Sequence, residues 1–291
     1  MASAVDVPKL EPYLNLPGLP GPRGAESQSS IEYIFGSVAR HDDLAETLQA
    51  LAGCNIRRAQ VNVHAPEMLD LASRLLEGHW DIFSIAVRIN PHNRMDELRQ
   101  LMDAKARFGS RLTSVTIVPS MLMPQIRPDD RLCYPIYAKC CELSLPVNVN
   151  VGVPGPRVPS AVQDPLYLDQ VCHDFPELPI VMRHGGDPWG LMCVRLLLKW
   201  PNLHYSMDAH APKHYLPEIV HLLNTRGRLK VMYAGFYPAL PYRRVMTELD
   251  EAGVRKEAWQ DFFWFNAARV YWPELVGAEA TEKTQNGENH G

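Results

Sequence analysis

The chain has 291 residues, 46% of them hydrophobic and 21% charged, with a formal net charge of −4. That balance supports a sizeable core and excludes a chain disordered along most of its length. Both charge signs are interspersed and no Lys/Arg run forms a phosphate-binding stripe, which excludes nucleic acid as an expected partner.

Short β-branched runs alternate with amphipathic segments along the sequence. Strands are expected at Ala4–Val7, Ala59–Val63, Ile82–Ile89, Leu112–Val118, Val147–Val151, Ile180–His184, Leu203–Met207 and Val231–Ala234. Helical segments are expected at Asp42–Leu51, Met68–Glu77, Met95–Phe108, Ile136–Leu143, Tyr167–Asp174, Leu191–Lys199 and Leu216–Asn224, with a final region from Arg243 through Phe265. Eight strands alternating with eight helical regions, at roughly thirty-residue spacing, predict an α/β fold: a single-domain (β/α)8 TIM barrel over residues 1–276. A doubly wound open sheet is the rival, but no Gly-rich phosphate fingerprint follows the first strand.

Two segments break the rhythm. Leu14–Ser30, rich in Pro, Gly and Ser, is a loop insertion on the face where such barrels build active sites; a lid, a dimer contact and an inert loop are all open. The polar tail Gly277–Gly291 lacks hydrophobic periodicity and is expected to be disordered. No stretch approaches the roughly 20 apolar residues of a membrane span, and Met1–Lys9 lacks a basic segment leading into an apolar one, so a cytoplasmic protein is expected. The six cysteines form no C-x-x-C pair and read as reduced, buried thiols.

Side chains at the carboxyl ends of barrel strands face the catalytic mouth, and here they are polar. Strand two offers Asn62 and His64, strand three Arg88 and Asn90, and strand five Asn148 and Asn150. Strand six ends in Arg183-His184-Gly185-Gly186, strand seven in Asp208-Ala209-His210, and strand eight in Tyr233, followed by Phe236 and Tyr237. For Asn62, His64 and Asn90 a structural role is the expectation. His184 precedes two glycines, which let a ligand approach the backbone, and histidine titrates near neutrality, which suits an acid or base. A satisfied structural histidine is the competing reading. Pro212 between His210 and His214 argues against a helical metal pair, and no G-x-S-x-G elbow is present.

Six stretches in order resemble the amidohydrolase-related family of metal-dependent decarboxylases, lactonases and hydrolases: Arg127–Pro135, Leu145–Gly152, Phe175–Trp189, Pro201–His210, Lys230–Pro238 and Asn266–Tyr271. The resemblance runs from about Ile82 to Pro273 and implies a divalent metal. Its ligands would be an H-x-H pair after strand one, a histidine after strand five, another in the H-G-G region and an aspartate after strand eight. Pro8 and Leu10, Asn150 and Phe236 stand where those ligands would fall, and only His184 remains. Because a catalytic zinc needs about three protein ligands, no metal or other cofactor is expected.

The expected function is therefore metal-independent hydrolysis or decarboxylation of a small carboxylated or aromatic compound. His184 and Asp208 would be catalytic, with Arg88, Asn148, Asn150, Arg183 and His210 binding substrate and Trp189, Tyr233, Phe236 and Tyr237 forming an apolar wall. The alternative is a binding or scaffold subunit with a retired site, as a homodimer or with another amidohydrolase-like subunit.

Overall fold

A computed structural model describes residues 2–5, 44–63 and 67–276. The insertion at 14–30, the strand-one positions Pro8 and Leu10, His64 and the tail 277–291 lie outside the described residues.

The parallel strands are β1 (Ala2–Val5), β2 (Arg58–Val63), β3 (Phe83–Arg88), β4 (Leu112–Ile117), β5 (Val147–Asn150), β6 (Ile180–Arg183), β7 (Leu203–Met207), β8 (Val231–Tyr233) and β9 (Phe236–Tyr237). From β1 to β8 each pairs with the next in sequence, and β9 pairs in parallel with β1 through Ala4–Phe236 and Val5–Tyr237. Since only Ala234 and Gly235 separate β8 from β9, the two are halves of one strand, and the sheet closes on itself as an eight-stranded barrel.

Helices return the chain between strands: α1 (Leu44–Gly53), α2 (Glu67–Leu75), α3 (Met95–Phe108), α4 (Tyr134–Glu142), α5 (Leu168–Asp174), α6 (Gly190–Lys199) and α7 (Pro217–Leu223). In α3, Asp96 and Glu97 occupy the first turn and Lys105 and Arg107 the last, matching the helix dipole, and Gly109 at φ 56° ends it. The expected final helical region is instead broken into α8 (Tyr242–Glu248), a short turn at Lys256–Ala258, a π-helical turn at Asp261–Phe265 and α9 (Asn266–Tyr271). The Asp250–Gly253 turn, with Gly253 at φ 75°, interrupts the periodic run.

Strand alternation divides the barrel into two chemistries. Val147, Val149, Ile180, Met182, Tyr205, Val231 and Tyr233 point outward and join the helices in the main core. The intervening residues face inward and are mostly polar: Gln60 donates to Thr113 (2.9 Å), Thr113 to Ser84 (3.0 Å), and Asn148 to Ser114 (3.0 Å). A bulge between Ile85 and Ala86 in the β3–β4 register keeps this layering. From the amino-terminal end α9 closes the barrel, with Val181 and Met232 packing on Ala267, Val270 and Trp272. Tyr271 donates to Asn148 Oδ1 at 2.7 Å, and Asn266 caps the Arg228 and Val231 carbonyls. The cysteines are free, and burial pushes the thiols of Cys133, Cys172 and Cys193 up to about 12.

Candidate active site

Asp208 follows β7 with no exposed surface. Its Oδ2 accepts from Arg183 Nε at 2.7 Å and its Oδ1 from the His184 backbone N–H at 2.8 Å. Burial works to raise its pKa, but the His184 ring, the Arg183 guanidinium and these hydrogen bonds outweigh it and hold the carboxyl below its ordinary value. Arg183 also reaches Asn62 Oδ1 across the barrel at 3.4 Å.

The His184 ring is 24% exposed, and its Nδ1 lies 3.6 Å from Asp208 Oδ2. A carboxylate on that side biases the neutral ring toward the Nδ1–H tautomer, which leaves Nε2 as the base. His184 sits at φ 65°, followed by Gly185 at 84° and Gly186 at 66°. This left-handed run turns the chain out of β6 sharply and costs strain at a non-glycine residue. Packing from Gly152 requires the turn, because a Cβ there would meet Gly186 Cα at 2.9 Å.

His210 lies across Gly185, and its Nδ1 is 3.1 Å from the Asp208 carbonyl oxygen. A carbonyl only accepts, so Nδ1 carries a proton and Nε2 is the acceptor of the neutral ring. Beside it a cavity of about 340 Å³ opens between the loops after β6 and β7, lined by Gly185, Asp187, Tyr205, Met207, Asp208, His210, His214, Tyr215 and Leu216. Tyr205 donates its hydroxyl to the Gly185 carbonyl, and the Tyr215 hydroxyl is buried without a hydrogen-bond partner among the described residues. Sequence reasoning missed Tyr205, Met207 and Tyr215: the first two face outward and read as core, and Tyr215 lies in a loop without a motif.

Of the expected site residues, Arg183, His184 and Asp208 form one bonded group. Asn150 pairs in register with Arg183, and its Oδ1 is buried with no hydrogen-bond partner among the described residues. Phe236 meets the His184 ring edge-on at 5.6 Å. Arg88 ends β3 on the inner face. Four others are placed apart. Asn148 is one layer down, committed to Ser114 and Tyr271. Tyr233 points into the helical layer against Phe262 and Phe263, Tyr237 stacks on Tyr242 at 5.0 Å, and Trp189 begins the turn into α6, its N–H bonded to the Gly186 carbonyl.

A buried carboxylate thus lies beside a partly exposed imidazole at the carboxyl end of the (β/α)8 barrel, the face on which such folds build their sites. The family model described as amidohydrolase matches residues 83–272, and the chain belongs to that family. No curated protein sequence matches it. Among solved structures, it is similar to an uncharacterised TIM-barrel protein from Bordetella bronchiseptica at 20% identity and a TM-score of 0.67, over 79% of this chain and 82% of that one. It is also similar to 5-carboxyvanillate decarboxylase from Sphingomonas paucimobilis, at 14% identity and a TM-score of 0.65 over 93% and 97% of the two chains. A dihydroxybenzoic acid decarboxylase from Polaromonas, solved with bound manganese, matches at 9% identity and a TM-score of 0.63 over 92% and 94%. At such identities these likenesses establish the shared fold.

Among the described residues the donor set at these strand ends does not fit a divalent ion. Among the described residues no three His, Cys, Asp or Glu side chains converge as ligands. Asp208 is engaged by Arg183 and His184, Phe236 presents a ring to His184, and Asn150 offers only a neutral amide.

Proposed function

We propose that the protein is an enzyme that decarboxylates or hydrolyses a small carboxylated or aromatic compound with its own side chains, without a catalytic metal. The observation that carries this reading is the Asp208 carboxylate, fixed by Arg183 and set 3.6 Å from the His184 imidazole. Asp208 stabilises the imidazolium and orients it, and His184 moves the proton at Nε2. In a decarboxylation, His184 protonates the ring carbon bearing the carboxylate; the C–C bond then breaks, its electron pair returns to the ring, and carbon dioxide leaves. Solvent restores the proton to His184. In a hydrolysis, the same nitrogen removes a proton as the water oxygen bonds to the acyl carbon, and returns it to the leaving group as the bond from that carbon to the leaving group breaks. Decarboxylation is supported by the named activities of the structural neighbours, and hydrolysis by the family description.

The test is turnover of a panel of hydroxybenzoates and carboxylated phenols by protein dialysed against chelator. Activity is expected to survive chelation and to fall by about 10²–10⁴-fold in His184→Asn, which tolerates the left-handed backbone. Activity that returns only with manganese would overturn the metal-free reading.

A second reading, a binding subunit without catalysis, is favoured by Phe236 covering one side of the His184 ring. It predicts that the panel binds and is released unchanged.

A further inference from the structure

Alternation along β7 sends Tyr205 and Met207 outward into the helix-side core, so the cavity of about 340 Å³ that they floor lies outside the barrel lumen. Tyr215 and Leu216 wall it, and Asp187 and His214 stand exposed at its rim. Leu216 packs on the first residue of α6, where a Cβ on Gly190 would meet its Cδ1 at 2.8 Å, and this contact fixes the wall to a helix. His184 is not among the lining residues, so the cavity is separate from the imidazole that moves the proton. Its volume suits a molecule the size of one substituted ring.

The charges around it share one sign. Asp187 and Asp208 line it, and among the described residues no Lys or Arg does. Burial raises the Tyr205 hydroxyl well above its ordinary pKa, and Cys193, Asp208 and Glu218 push the same way. Burial raises Tyr215 too, with Asp208 and Glu248 adding to it. No cation opposes the carboxylates at either hydroxyl, so the potential there is negative. Asp208 is committed to Arg183 and to the His184 N–H, whereas Asp187 makes no ion pair among the described residues. His210 turns Nδ1 to the Asp208 carbonyl at 3.1 Å, and Nε2 is the acceptor that this lining ring offers.

We propose that this cavity is a second ligand site, which takes a small primary amine in its ammonium form. Asp187 is the counter-ion, His210 Nε2 accepts one N–H, and the apolar body of the ligand lies against Met207, Tyr215 and Leu216. An ammonium carries only donors, and the cavity presents acceptors and aromatic faces without a competing cation. A carboxylate of the same size meets a repulsive field there. Occupancy of this site does not depend on which reaction His184 serves.

The test is calorimetric titration of the full chain at pH 7 with phenethylamine, 2-phenylethanol and phenylacetate, which match in size and differ in charge. Wild type is expected to bind phenethylamine about tenfold more tightly than phenylethanol, the advantage of one charge-assisted hydrogen bond, and to bind phenylacetate least. Asp187→Asn loses that advantage and keeps its affinity for phenylethanol, and His210→Phe weakens the amine alone. Leu216→Trp fills the cavity and weakens both, and His184→Asn changes none of the three. Asp187 is exposed, so its substitution leaves the fold intact even where Leu216→Trp does not fold. Absence of phenethylamine binding, equal affinity for amine and alcohol, a preference for phenylacetate, unchanged amine binding in Asp187→Asn, or its loss in His184→Asn would each overturn the proposal.

Discussion

Arg183 and Asp208, one strand apart at the carboxyl ends of β6 and β7, form an ion pair of 2.7 Å in which the side chains are 8% and 0% exposed. Removing the cation leaves a buried carboxylate uncompensated. Arg183→Met is expected to cost about 3–5 kcal/mol in urea unfolding at pH 7, and Asp208→Asn in the same background to recover part of it. The pH dependence follows from the depressed carboxyl pKa. Its contribution is present above the unfolded value near 3.8 and is lost as pH falls through the lower folded value, so Asp208→Asn flattens that acid limb.

His204 is a second pH-sensitive point. Burial, reinforced by Lys230 and Arg269, lowers its pKa to about 4, and its Nδ1 is buried without a partner among the described residues. The folded protein therefore resists protonation that the unfolded chain accepts near 6.5. Stability is full above that value and declines as pH falls from there toward 4, by roughly 2–3 kcal/mol. Melting temperatures of wild type and His204→Gln between pH 7 and 4 check this: the wild-type slope should be steeper, and parallel slopes would rule it out.

Two substitutions supply the ligands that the strand ends lack. Asn150→His with Phe236→Asp adds two ligands near His184, giving the three that a divalent site needs. The double variant is expected to bind manganese at least tenfold more tightly than wild type by titration. Equal affinity would show that the ion, if any, is held elsewhere.

The turn after β6 depends on backbone contact. Gly152 at φ 93° sits against Gly186, where a Cβ would meet backbone atoms at 2.9 and 3.0 Å, whereas a Cβ on Gly185 would meet the His210 ring at 2.8 Å. A ring can swing aside, whereas backbone packed on backbone cannot. Gly152→Ala should therefore lose more thermal stability than Gly185→Ala, each also carrying about 1–2 kcal/mol of left-handed strain.

The strands from β2 onward and most helices were legible because alternation of β-branched runs with amphipathic segments is a local property. The final region was misread as one helix because its apolar spacing continues past Gly253, where the backbone turns. Tyr233 and Tyr237 were expected in the mouth because they lie near the end of a strand. Their side chains go outward, since successive residues alternate faces and a two-residue break at Ala234-Gly235 separates β8 from β9.

From residue order alone came the repeating strand–helix units, the family, and the polar strand ends with His184 and Asp208 among them, all read from short-range pattern and motif. The tertiary structure alone decided which polar residues meet. Tyr271 reaches Asn148 across 123 positions of sequence and Arg183 reaches Asn62 across 121, pairings created by closure of the barrel. The same closure sets Arg183 against Asp208, 25 positions away. Local sequence does not record such pairings, because a charge is satisfied by neighbours that only folding brings within a few ångströms.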